Sequence, residues 1–183
     1  MIIKNKMNRV IQYLDILPDD TDEVDITFYN QSELPDLSRF HNMSILLCYG
    51  NQLTSIPILS NLVKLTCYQN KLTSIPILPH LQELRCECNQ LTSIPLLPNL
   101  ENLNCMFNKL ISIPTIPSLE VLCCGNNKLT SIRVLPNLIL LDRYHNQLTS
   151  IPILPNLEDL NCGTNQFNRI PVLPNLKLLG CGN

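Results

Sequence analysis

Leu62 to His80 reads LVKLTCYQNKLTSIPILPH, and the chain repeats this stretch with a strict 19-residue spacing almost to its end. Leu81, Leu100, Leu119, Leu138, Leu157 and Leu176 open the later copies, and Met43 opens an earlier one, with no insertion or deletion between them. Self-similarity at a fixed period of about 20 residues marks a solenoid, in which each unit buries its apolar face only by stacking on its neighbours. Counting from the opening leucine, the unit is L-x-x-L-x-C-x-x-N-x-L-T-S-I-P-x-L-P-N. Positions 4 and 6, Leu65 and Cys67 in this copy, alternate with variable residues. A period of two with one constant face predicts a short strand buried on one side.

Asparagine recurs at position 9, as Asn51, Asn70, Asn89, Asn108, Asn127, Asn146 and Asn165. Its side chain carries both donor and acceptor, so stacked copies are suited to satisfy backbone groups freed where each strand leaves the sheet. The remainder of the unit places proline every third residue. Proline removes an amide donor and fixes φ, which predicts an extended or polyproline-like return path with no helix. Successive strands are then parallel and line one concave sheet.

The pattern L-x-x-L-x-C-x-x-N-x-L resembles the leucine-rich repeat signature, with Cys where Leu or Ile is usual. The 19-residue unit and its I-P-x-L-P segment are similar to the short repeats of secreted bacterial effectors. The segment N-Q-L-T-S-I-P-x-L-P-N-L is similar to repeat proteins of giant DNA viruses of the mimivirus kind. The resemblance covers residues 43–183. It implies a β-rich solenoid with a parallel concave sheet, and a scaffold that binds a protein, a host protein if the viral likeness holds.

The rest of the chain divides against that frame. Residues 1–19 lie outside the repeat, and Val10, Ile11, Leu14 and Leu17 recur at near-helical spacing before Pro18. An amphipathic cap over the end of the solenoid is expected there, a partner-binding helix being the other reading. Residues 20–42 form a degenerate first repeat: acidic residues from Asp19 to Asp25 make a solvated turn, Val24 to Phe28 alternate like a strand, and three extra residues around Ser38 to Phe40 precede the regular register. Residues 43–183 hold seven full units and a partial eighth that stops at Asn183. An apolar end there would be open to water, so end-to-end self-association is a second reading beside a fragment or a self-sufficient tail.

The formal net charge is −2, which gives no basic face for nucleic acid. No apolar run reaches the length of a membrane span, and the N-terminus lacks the apolar core and cleavage site of a secretory signal. The chain is expected in a cytoplasm, or in the virion if it is viral. Seven of the nine cysteines, Cys48, Cys67, Cys86, Cys105, Cys124, Cys162 and Cys181, share position 6 and are expected to pack as reduced core thiols. Cys88 and Cys123 fall off that ladder and are expected nearer solvent. No C-x-x-C pair accompanies them and the three histidines sit at unrelated positions, so no metal or cofactor is expected. Nucleophile-elbow, zinc-protease and phosphate-loop motifs are absent from the sequence, so no catalytic residue is assigned and the chain is read as a non-enzyme.

Copy-to-copy variation marks the candidate partner-binding face, because solvent-facing strand positions need not pack. Positions 3, 5, 7 and 8 are expected to line the concave side, and Tyr49, Tyr68, Arg85, Glu87, Met106, Phe107, Tyr144 and His145 stand out there. Aromatic and Met side chains on a solvent-facing strip are the types that anchor protein interfaces. Aromatics are equally good strand residues that pack across neighbours for stability alone. Carboxylates at strand entry, such as Glu83, Glu101, Glu120, Glu158 and Asp159, favour a basic patch on a partner or a merely solvated face. One departure disturbs the interior: Arg143 takes the inward thiol position. Leaving it unpaired would cost several kcal/mol, so it must find acceptors, reach solvent or distort its strand.

Overall fold

The computed structural model describes residues 2–167 and 169–180, with side chains from Arg9 onward. One helix, α1 (Ile2–Asp15), is followed by nine three-residue strands: β1 (Glu23–Asp25), β2 (Ile45–Leu47), β3 (Lys64–Thr66), β4 (Glu83–Arg85), β5 (Asn102–Asn104), β6 (Val121–Cys123), β7 (Leu140–Asp142), β8 (Asp159–Asn161) and β9 (Leu178–Gly180). They form one parallel sheet in sequence order. The register pairs equivalent positions throughout, as in Leu65 with Leu84 and Leu84 with Leu103. No helix interrupts the return path among the described residues.

The interior is six columns deep, formed by positions 1, 4, 6, 11, 14 and 17. In the coil that begins at Leu81 these are Leu81, Leu84, Cys86, Leu91, Ile94 and Leu97, at most 5 % exposed. The return path accounts for the last two columns. A polyproline-like backbone has three residues per turn, so positions 14 and 17 share one side and both point in. The thiols Cys48, Cys67, Cys86, Cys105, Cys124 and Cys162 are buried, while Cys88 is exposed and Cys123 intermediate. Burial pushes the Cys48 thiol up to about 12, which makes it inert as a nucleophile. Cys181, Gly182 and Asn183 lie outside the described residues.

The asparagine at position 9 folds in beside position 6. Asn70 Nδ2 donates to the carbonyls of Cys67 (3.0 Å), Tyr68 (3.2 Å) and, one coil back, Cys48 (3.1 Å). Its Oδ1 accepts the Leu53 amide at 2.9 Å. Asn89, Asn108, Asn127, Asn146 and Asn165 repeat the same set of contacts. A second ladder, not anticipated from the sequence, runs along the return path. There the position-19 side chains of Asn61, Asn99, Asn137, Asn156 and Asn175 each donate to a carbonyl twenty residues earlier, Asn99 to Pro79 at 2.7 Å. Carbonyls that prolines leave without a ladder partner are satisfied in this way.

Helix α1 closes the first coil. Val10 and Leu14 are buried and Leu17 packs against the core, whereas Ile11 faces outward at 42 % exposure. The three extra residues before Met43 supply the clamp: Arg39 donates to the Leu14 and Leu17 carbonyls (2.6 and 2.7 Å) at the helix C-terminus. Its guanidinium also lies over the Phe40 ring. A cation there meets both the orphan carbonyls and the helix dipole. The Tyr13 hydroxyl accepts the Asp25 amide, anchoring the helix to β1. At the other end Leu179 is 53 % exposed, while its equivalents Leu141 and Leu160 are buried.

Arg143 is fully buried and the coil around it is not distorted. Leu141 keeps register with Leu122 and Leu160, and the Arg143 carbonyl accepts from Asn146 and Asn165. Its guanidinium lies 4.5 Å from the centre of the Phe167 ring, and Phe167 stands at position 11, where the preceding coils carry Leu. The two departures from the consensus therefore meet in space: a planar cation in the core lies over a ring in the next coil.

Two outcomes are expected. Asn89→Ala strands the Leu72 amide and removes the donors to three carbonyls, so stability falls by about 3 kcal/mol and Tm by about 6–12 °C in thermal unfolding. In a double-mutant cycle, Arg143→Cys and Phe167→Leu each destabilise, and the double variant recovers at least about 1 kcal/mol relative to their sum. Simple additivity would show that the two sites are independent.

Candidate functional site

Each strand is only three residues long, so the concave surface consists of positions 3 and 5 of the strand plus position 7 just past it. Parallel bonding continues beyond the strand, with the Gly50 amide donating to the Tyr68 carbonyl at 3.0 Å and the Gln69 amide to that of Glu87. This holds position 7 of every coil in line. Position 8 behaves differently from the strand residue expected. Gln69, Cys88, Phe107, Asn126, His145 and Thr164 all have φ between 51° and 55°, and Gly50 has 67°. A left-handed residue bends the chain out of the sheet so that the asparagine at position 9 can turn inward. Phe107 and His145 are exposed, but on the rim of the bend and not on the strand face.

Four of the eight candidate residues form one continuous cluster. The rings of Tyr49 and Tyr68 stack at 4.3 Å with 13° between planes. Phe28, which the sequence reading did not single out, meets Tyr49 edge-on at 5.2 Å, and its ring occupies the space a side chain at Gly50 would need. On the other side the Arg85 guanidinium sits 5.3 Å from the Tyr68 ring centre. Arg85 also donates to Glu87 Oε1 at 2.8 Å, and Glu87 Oε2 is shielded without a hydrogen-bond partner. Glu87 in turn strengthens the charge on Arg85, and desolvation, followed by Tyr49, pushes the Tyr68 hydroxyl above its ordinary range. Met106 continues this row in the next coil at intermediate exposure.

Tyr144 is set apart from that cluster. Its ring covers Gly125, so closely that a Cβ there would come within 2.6 Å of Cε1. Between the two aromatic regions lies a shallow depression of about 320 Å³ lined by Glu83, Arg85, Asn102, Asn104, Val121 and Cys123. Cys123 is pushed up to about 11 by burial first and then by Asp142. Burial and Glu87 likewise raise Cys88. Neither thiol is an activated nucleophile. No group of three or more His, Cys, Asp or Glu positioned to hold a metal occurs among the described residues. No described helix is long and apolar enough to cross a membrane.

Asp142 is the strained charge of this face. Burial is the largest influence on its carboxyl and raises its pKa, against hydrogen bonds from the Tyr144 amide and the Asn161 side chain. A carboxyl raised on folding contributes stability below its unfolded pKa and loses it as pH rises through the folded value. Asp142→Asn is therefore expected to raise Tm at pH 7 while leaving it unchanged at pH 3. An unchanged Tm at both values would show that the carboxylate is not penalised.

The family model for leucine-rich repeats (two copies) matches residues 60–98 and 79–118. No curated protein sequence matches the chain. Among solved structures, YopM of Yersinia pestis, a leucine-rich effector protein, is similar over 97 % of this chain and 53 % of its own, with a TM-score of 0.85 and 29 % identity. A Shigella effector leucine-rich repeat domain is similar over 90 % of this chain and 77 % of its own, with 0.76 and 27 %. A leucine-rich repeat protein of Leptospira interrogans is similar over 93 % and 56 %, with 0.75 and 28 %. The chain thus spans about half the length of the YopM structure. In repeat, register and topology the fold is a leucine-rich repeat solenoid, similar to the repeat domains of bacterial effectors.

Proposed function

We propose that this chain is a non-enzymatic recognition scaffold that binds a protein partner through its concave face, centred on Tyr49, Tyr68, Arg85 and Glu87. Leucine-rich repeats are in general protein-binding scaffolds, and the observation that carries the reading here is the ordered aromatic row. Stacked rings flanked by a cation have lost their rotamer freedom before any partner arrives, which lowers the entropic cost of binding. Met106 and Phe107 extend the contact, and Tyr144 and His145 form its far edge. A host protein is the partner class that the likeness to effectors and to giant-virus repeats suggests. A structural role, with copies joined end to end, is the second reading.

Crosslinking pull-down from expressing cells, run beside thermal unfolding, separates the two. Tyr49→Ala with Tyr68→Ala is expected to abolish the specific partner set while lowering Tm by no more than about 5 °C. An intact partner set with a much larger stability loss would mean that the aromatic row serves the sheet alone.

A further inference from the structure

The charges of the repeat array divide by face. From Met43 onward all seven carboxylates stand at positions 2, 3, 5 or 7, in the strands or at their ends. Positions 8–19 carry none, although much of that path is exposed; the charges there are Lys71, Lys109, Lys128, Arg133 and Arg169. Carboxylates that served solvation alone would be spread over every exposed position. On the sheet side, ion pairing then uses up the cations. Lys64 meets Glu83 at 3.0 Å, Arg85 meets Glu87 at 2.8 Å and Lys177 meets Glu158 at 2.8 Å. Glu101, Glu120, Asp142 and Asp159 are left with no ion-pair partner among the described residues.

These four carboxylates belong to the surroundings of the depression between the two aromatic regions. Glu101 and Glu120 directly precede Asn102 and Val121 in its lining. Asp142 pairs in register with Cys123, and Asp159 stands two strands from Val121 through Leu140. Arg85, the one cation in the lining, is already neutralised by Glu87 and lies over the Tyr68 ring of the preceding coil. The floor therefore feels a negative field: after burial, Asp142 and Glu87 raise the Cys123 thiol, and Arg85 opposes them only in part. At about 320 Å³ the depression is at the lower end of the roughly 300–1,000 Å³ of ligand pockets, a size for one long side chain and not for a folded element. Given recognition through the concave face, on which this step rests, we propose that the partner presents an extended basic segment. One lysine or arginine side chain enters the depression, and further cations meet Glu101, Glu120, Asp142 and Asp159. Complementary charge of this kind sets register and encounter rate, while the neighbouring aromatic row supplies apolar contact. An acidic segment would find no unpaired cation on this side of the sheet.

Fluorescence anisotropy of a labelled peptide of alternating arginine and serine, at about 0.15 M salt, tests this on the full chain, with thermal unfolding as a fold control. The peptide is expected to bind, and a glutamate–serine counterpart is not. Glu101→Gln, Glu120→Gln and Asp159→Asn together are expected to weaken binding about tenfold at nearly constant Tm. Asp15→Asn, Asp20→Asn and Glu33→Gln neutralise three exposed carboxylates away from the repeat sheet. They give the same net charge and are expected to change binding by less than about twofold, because screening confines each charge to its neighbourhood. Equal loss in the two triple variants, no binding of the arginine peptide, or preference for the glutamate peptide overturns the inference. The crosslinking pull-down keeps it distinct from the recognition reading. A partner set that survives the sheet-side triple variant but is lost with Tyr49→Ala and Tyr68→Ala leaves recognition standing and removes the basic segment. A set that survives both removes recognition, and this inference with it.

Discussion

The side-chain amide at position 9 is the constraint on which the solenoid depends. An extended chain that bends sharply after every three-residue strand exposes backbone amides and carbonyls inside the molecule, where each orphan costs about 1–3 kcal/mol. One asparagine meets four of them at once, in its own coil and in the coil before it, as Asn70 does with Cys48, Cys67, Tyr68 and Leu53. The same geometry spans the longer first coil, where Asn51 donates to the Ile26 carbonyl and accepts the Gln31 amide. The ladder therefore ties each coil to the one before it, and the second ladder from Asn61 to Asn175 does so again on the opposite side.

With the backbone satisfied coil by coil, the side chains divide by face. Six columns point in and make a core that is a ribbon with no centre, so that each coil is stabilised by its two neighbours. The first coil meets this condition through α1, clamped by Arg39 at its last carbonyls. The interior tolerates an exception where it is answered locally: Arg143 displaces a thiol, Phe167 displaces a leucine, and the asparagine ladder passes between them unchanged.

Much of this was legible in the sequence because a strict period averages over local ambiguity. The strand, the inward thiols, the position-9 ladder and the helix-free return path all follow from residues that recur seven or eight times. What recurs once was not legible. Nothing in the sequence around Arg143 points to Phe167 twenty-four residues on, and the clamp on α1 needed the fold to bring Arg39 to Leu14. The left-handed bend at position 8 was also hidden, since Gln, Cys, Phe, His and Thr do not advertise positive φ and only Gly50 and Asn126 hint at it. Its sign is set by the asparagine that follows and not by the residue that adopts it.

The candidate face also shows how a repeat array turns a neighbour's identity into a packing mode. Parallel strands lie about 4.8 Å apart, so an aromatic at position 7 must settle its ring against what stands at position 7 in an adjoining coil. Beside Gly125 the Tyr144 ring lies down over the vacant Cβ direction and becomes part of the sheet surface. Beside another ring it packs differently: Tyr49 and Tyr68, at 4.3 Å and nearly parallel, stack on one another. The same residue type therefore packs over a glycine in one coil and against a ring in another. The difference lies in one neighbouring residue, which is why Tyr49 and Tyr68, and not Tyr144, form the centre of the proposed recognition surface.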